Sequence, residues 1–220
     1  MEQLFLHNQA NLPQLFFSQS QEDYGLLQTF LNYRDGFFIE LGAMDGICYS
    51  NSLFYEKYMG WKGILIEPTS QFFDLIKNRP NAKNYKFVIS EKEGPVEFMG
   101  DHTTGFLSAQ GGMVETLNDG NRENFKNYQK EEISHIESVP LRKLLHGVKK
   151  VNLFSIDVEG GEYEVLSTYD WDIPVHVVLI ESLDGSKMEN CRNLLREKGL
   201  KFEGALAHNE VWVNHNFKHD

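Results

Sequence analysis

Phe37-Phe38-Ile39-Glu40-Leu41-Gly42-Ala43-Met44-Asp45-Gly46 is the stretch whose reading decides the fold. Its first five residues form a run of strand length that stops at Gly42. A helical pattern follows from Ser50 to about Met59, with Leu53, Phe54 and Lys57-Tyr58 at helical spacing and Gly60 as its stop. Strand, glycine turn and helix therefore come in that order. The pattern recurs outward from there. Gly63 to Glu67 reads as a second strand, halted by Pro68. A helix from about Ser70 to Lys77 follows, with Phe72, Phe73 and Ile76 as its inner face. Lys86 to Ile89 reads as a third strand, and Val96 to Met99 is expected to pair nearby after the Gly94-Pro95 turn. Val151 to Ile156 is a strand ending in Asp157, and Glu162 to Thr168 is helical. Val175 to Ile180 is the most continuous buried run. Lys187 to Lys198 is an amphipathic helix ended by Gly199, and short strands near Phe202–Leu206 and Glu210–Val213 complete the chain. Alternating strands and helices predict an α/β fold: a mostly parallel sheet with helices on both faces.

No repeat, low-complexity tract or linker divides the chain, so residues 1–220 are expected to form a single domain, with 1–36 as an N-terminal lead-in. Residues 100–138 differ. Their first half is polar, aperiodic and glycine-bearing, and both a lid and a plain surface insertion fit it. Lys plus Arg is 21 against 32 Asp plus Glu, a formal net charge of −11. That balance repels phosphate backbones and anionic lipid surfaces, so neither a nucleic acid nor a membrane is expected as partner. Cys48 and Cys191 have no metal-binding spacing, and both read as small buried residues. Met1 to Ala10 holds only the short apolar stretch Leu4-Phe5-Leu6, which predicts an intracellular, cytoplasmic chain without a signal peptide or membrane span.

The chemistry gathers at strand ends. In open parallel sheets ligands bind beyond the carboxyl ends of the strands, where strand order reverses. Here the first strand ends in Glu40 and the Gly42-Ala43-Met44-Asp45-Gly46 turn, and the second ends in Glu67-Pro68. The third ends in Ser90-Glu91, the next in Asp157-Val158-Glu159-Gly160-Gly161-Glu162, and the following one in Glu181. A glycine turn followed by an acidic residue at the next strand end points to a nucleoside cofactor, the carboxylate accepting hydrogen bonds from a ribose. The dinucleotide pattern GxGxxG is not kept, because Met44 stands where its second glycine would admit a pyrophosphate. Acidic Glu40 and Asp45 suit instead a cofactor with a cationic amino-acid end, such as S-adenosylmethionine.

These residues also resemble a known family. Phe38 to Gly46, Ser50-Asn51-Ser52, Gly60-Trp61-Lys62-Gly63 leading to Ile66-Glu67-Pro68, and Ser155 to Glu162 followed by Val165-Leu166 resemble the FkbM methyltransferases. Ser18-Gln19 with Glu22-Asp23 is similar to that family's opening segment. The resemblance spans roughly Ser18 to Val213. It implies a Rossmann-like class I methyltransferase fold, a seven-stranded sheet with an antiparallel last strand. It also implies O-methylation of a sugar, glycan or other hydroxylated metabolite. Met44 departs from the family, which commonly has Asn there.

The candidate cofactor residues are Glu40, Gly42, Ala43, Asp45, Ser50, Asn51, Glu67, Pro68, Ser90 and Asp157. Ser50 and Asn51 serve equally well as helix caps or as donors to a cofactor carboxylate. Phe72 and Phe73 read as core, and Glu159 and Glu162 as acidic first-turn residues of the following helix. Asp157 is the candidate catalytic residue, placed to take or orient the acceptor's proton, with His208 as the alternative base. Asp157 with Glu181 is a candidate two-carboxylate site for Mg²⁺ or Mn²⁺. A nicotinamide-dependent oxidoreductase and a non-catalytic binding protein on the same fold are the competing readings.

Overall fold

The computed structural model describes residues 15–130, 132–182 and 186–219; the reading of Met1 to Ala10 lies outside them. In chain order the first half contains α1 (Glu22–Thr29), β1 (Phe37–Leu41), α2 (Leu53–Met59), β2 (Lys62–Ile66), α3 (Phe72–Asn78), β3 (Lys83–Tyr85), β4 (Val88–Ile89), β5 (Gly94–Met99) and β6 (Gly112–Met113). The second half contains α4 (Asp119–Asn127), β7 (Ile133–Val139), β8 (Val151–Ile156), α5 (Glu162–Thr168), β9 (Val175–Glu181), α6 (Ser186–Glu197), β10 (Lys201–Leu206) and β11 (Asn209–Val213).

Seven strands form the main sheet in the order β10-β11-β9-β8-β1-β2-β3. β3, β2, β1, β8 and β9 run parallel. β11 is antiparallel to both of its neighbours. The fold is therefore the class I α/β sheet, with its last strand reversed and inserted beside β9. Two apolar layers follow from the period of two along each strand. Ile39 and Leu41 of β1 pack with α5 and α6 residues such as Leu166 and Leu195. Phe38 faces the opposite layer, with Leu26 of α1, Phe54 of α2 and Leu75 of α3. β8 and β9 alternate in the same way, Phe154 and Val178 to one side, Leu153 and Val177 to the other. Both faces are covered, as continuous apolar strands require.

Three local expectations need correction. The third parallel strand is Lys83–Tyr85, and the chain after it leaves the main sheet to form β4. Its residues Lys83-Asn84-Tyr85 carry no apolar run, because an edge strand needs only the ladder to one neighbour. The inner face of α3 is Leu75, while Phe73 and Ile76 are exposed. Residues 100–138 hold a 3₁₀ turn (Gly105–Ala109), β6, α4 and most of β7. β4, β7, β5 and β6 form a second, four-stranded sheet in that order, whose own core joins Val88, Val96, Phe98, Met113 and Ile136. Of the cysteines, Cys191 is buried and Cys48 is exposed. Among the described residues, no helix is long and apolar enough to cross a membrane.

Strand order reverses between β1 and β8, since the chain builds outward from β1 to β3 and then returns to β1's other side. A ligand crevice belongs beyond that point.

Candidate active site

A cavity of about 680 Å³ opens there. Its floor is the glycine turn after β1. Gly42 adopts φ +74, and a Cβ at this position would collide with the backbone carbonyl oxygen of Asp157. Only glycine lets the turns after β1 and β8 meet back to back. The amide of Met44 donates to Oε2 of Glu67 at 2.8 Å, and Thr69 donates to Oε1 through its amide at 2.9 Å and its hydroxyl at 2.5 Å. Glu67 is thus locked in the wall between two turns. Burial, its leading influence, raises its pKa against the lowering effect of those bonds. Three of the roughly four lone-pair positions of a carboxylate are taken, leaving capacity on Oε2. Asp45 lines the cavity while its Oδ1 accepts the amides of Ile47 and Cys48 at 2.9 and 2.8 Å.

Glu40 is 3% exposed. It accepts the Asn51 amide at 2.7 Å, the Ser50 hydroxyl at 3.0 Å and the Ser52 hydroxyl. The peptide amide ahead of α2 thus points at Glu40, from within the protein. Arg79, fully buried, reaches the same knot. Its guanidinium donates to Ser50, Ser52, the Gly46 carbonyl and Glu56. Nothing in the local pattern around Arg79 marks it, because its partners lie 23 to 33 residues upstream.

Glu40, Gly42, Asp45, Asn51, Glu67, Pro68 and Asp157 all line the cavity, as do Glu181 and His208. Ala43, Ser50 and Ser90 are buried and are not part of its lining. Where Ser90 was expected, the wall is instead Phe87, Val88 and Ile89.

At the ends of β8 and β9, ligand-competent oxygens of Asp157, Glu159 and Glu181 lie within 4.8 Å of one another. Glu159 is the member that sequence reasoning missed. Its backbone is left-handed, φ +59, which turns it away from the helix cap expected of it. Its Oε2 accepts Asn121 at 2.6 Å and Asn118 at 3.2 Å. Glu162 does serve the turn, accepting the amides of Gly160 at 3.0 Å and Val158 at 3.3 Å. Burial comes first in raising all these carboxyls, followed for Glu159 and Glu181 by the charge of Asp157. Asp157 itself is pushed up to about 6, by burial and then by Glu22 and Glu40. Glu22 is a further missed residue. It lines the cavity from α1, held by Asn209 of β11 at 3.2 Å.

The second sheet supplies the cover. Ser108, Gln110, Met113 and Thr116 line the cavity. A Cβ on Gly160, which sits at φ +113, would collide with the Thr116 carbonyl oxygen.

Among solved structures, the methyltransferase FkbM from Methylobacillus flagellatus KT is similar with a TM-score of 0.50 at 12% identity. The match covers 81% of this chain and 43% of that one. Precorrin-6y C5,15-methyltransferase from Geobacter metallireducens GS-15 matches with a TM-score of 0.45 at 12% identity, covering 90% and 89% of the two chains. A SAM dependent methyltransferase from Aquifex aeolicus matches with a TM-score of 0.43 at 9% identity, covering 93% and 94%. No match is found among curated proteins. The Methyltransferase FkbM domain matches residues 40–202, which run from the glutamate beneath the glycine turn to the start of the last hairpin. The chain belongs to the FkbM family of methyltransferases, with S-adenosylmethionine as its cofactor.

Proposed function

We propose that the chain transfers a methyl group to a hydroxyl of a carbohydrate or a similarly hydroxylated metabolite, with Asp157 as general base. The observation that carries this reading is Asp157 itself: a half-buried carboxylate, raised to about 6, facing the same cavity as the glycine turn and Glu67. The cofactor fits these residues. The spare acceptor capacity of Glu67 and the acidic lining suit a cationic nucleoside. When bound, it supplies a methyl group on a positively charged sulfur. An acceptor hydroxyl held in this cavity would give up its proton to Asp157. A base whose pKa approaches ambient pH binds that proton better than an ordinary aspartate while remaining mostly ionised. Gly42 fixes Asp157 against the floor, so the base and the cofactor turn share one rigid contact. Exposed Tyr49 lines the cavity as well, an aromatic face of the kind that sugars stack on.

Asp157→Asn is expected to lower turnover about 10²- to 10⁴-fold and to leave S-adenosylhomocysteine affinity unchanged in calorimetry. Near-wild-type turnover would remove Asp157 from the chemistry. A loss in His208→Ala with Asp157→Asn unaffected would move the base to the histidine.

A second reading has its own observation, the convergence of Asp157, Glu159 and Glu181. Those three would hold Mg²⁺ or Mn²⁺, and the ion would lower the pKa of the acceptor hydroxyl. Activity lost to a chelator and restored by Mg²⁺ selects it.

A further inference from the structure

We propose that the acceptor is a hydroxylated amine, whose protonated nitrogen sits among Asp157, Glu159 and Glu181, and that phosphorylated or carboxylated acceptors are turned away. This rests on the methyltransferase reading above. The lining holds Glu22, Glu40, Asp45, Glu67, Asp157, Glu159 and Glu181, and among the described residues neither Lys nor Arg faces it. The ionised carboxylates among them repel an anionic acceptor, since charges in a partly dry site interact far more strongly than in water. Three of them converge without a protein cation. Buried carboxylates in that state hold protons or await a cation.

A second observation is independent of the cluster. Asn51 is 9% exposed and lines the same cavity, and its Oδ1 has no hydrogen-bond partner. Its Nδ2 donates at 3.0 Å to Ser155 of β8, two residues before Asp157. An unpaired buried acceptor there calls for a donor from the ligand. An ammonium carries three donors and no acceptor, and at ordinary hydrogen-bond length its tetrahedral donors place their partners about 4.6 Å apart. Oxygens that all lie within 4.8 Å of one another are within reach of a single ammonium. A protonated nitrogen has no lone pair, so the methyl group goes to the hydroxyl.

The test is calorimetry on protein saturated with S-adenosylhomocysteine, titrated with glucosamine, N-acetylglucosamine and glucose 6-phosphate as probes. Glucosamine is expected to bind at least about tenfold tighter than its neutral acetylated form, as losing a hydrogen bond to a charged group implies. Glucose 6-phosphate is expected not to bind. Glu181→Gln and Asn51→Ala are each expected to reduce the preference for glucosamine. Equal binding of the two sugars, no glucosamine binding, or any phosphate binding overturns the proposal. So does MgCl₂ that stabilises the protein and expels glucosamine, which would make the cluster a metal centre. Failure of S-adenosylhomocysteine to bind at all would count against the methyltransferase reading itself.

Discussion

Met44 sits at φ +50, a left-handed conformation that costs a side-chain-bearing residue about 1–2 kcal/mol. Its amide is nevertheless bound to Glu67, so the turn holds it there. Asn tolerates this region far better. Met44→Asn is therefore expected to raise stability by about 1 kcal/mol, a melting shift of about 2–4 °C at this chain length. A lower melting temperature would show that the thioether's own packing outweighs the strain. Glu67→Ala removes both the anchor of that turn and an acceptor in the cavity. S-adenosylhomocysteine affinity should fall at least about tenfold, in line with bonds to a charged group; unchanged affinity would take Glu67 out of the cofactor site. Residues at strand ends were legible because a carboxylate followed by glycine has a local signature, as at Glu40 and Asp157. Glu159 was not, since an acidic residue before a helix reads as a cap, and only its left-handed backbone redirects it. Arg79 and Glu22 were invisible for a different reason: what holds them is distant in sequence.

The elements read best were those buried on both faces. β1, β8 and β9 stand where their apolar runs predict, because a continuous hydrophobic stretch between turn signals admits few alternatives. β3 escaped notice, being a short edge strand of polar residues. The second sheet escaped too, for its pairing of β7 with β5 joins segments whose alternation is weak and interrupted by α4. The turn after β6 closes the cavity through Thr116 against Gly160. Gly160→Ala is expected to push the 112–118 segment away from the turn that carries Glu159. Hydrogen exchange should show faster exchange across that segment while β1 and β8 stay protected. Uniform exchange across the protein would mean that the contact matters to overall stability and not to the cover alone.

At the scale of the whole molecule, charge dominates. Two cavity carboxyls are raised far, Glu159 to about 8 and Glu181 to about 10, from an ordinary 4.5. The folded state therefore binds more protons than the unfolded chain above about pH 4.5. The stability this contributes is complete below that pH and is lost as pH rises through the folded values. Without ligand, the melting temperature is expected to fall between pH 6 and pH 9, and Glu181→Gln should flatten the decline. A flat wild-type profile would show that the cluster ionises freely. β11, finally, has a bearing on how the enzyme comes into being. It inserts between β9 and β10, and its Asn209 grips Glu22 across 187 residues of chain. A ribosome delivers those two partners 187 residues apart. The growing chain can lay down β1, β2 and β8 early and pack Leu26 of α1 against them, but the Asn209 contact to Glu22 waits for the β10–β11 hairpin. A chain made only as far as β9 is thus spared from holding a finished active site, which waits on the β10–β11 hairpin.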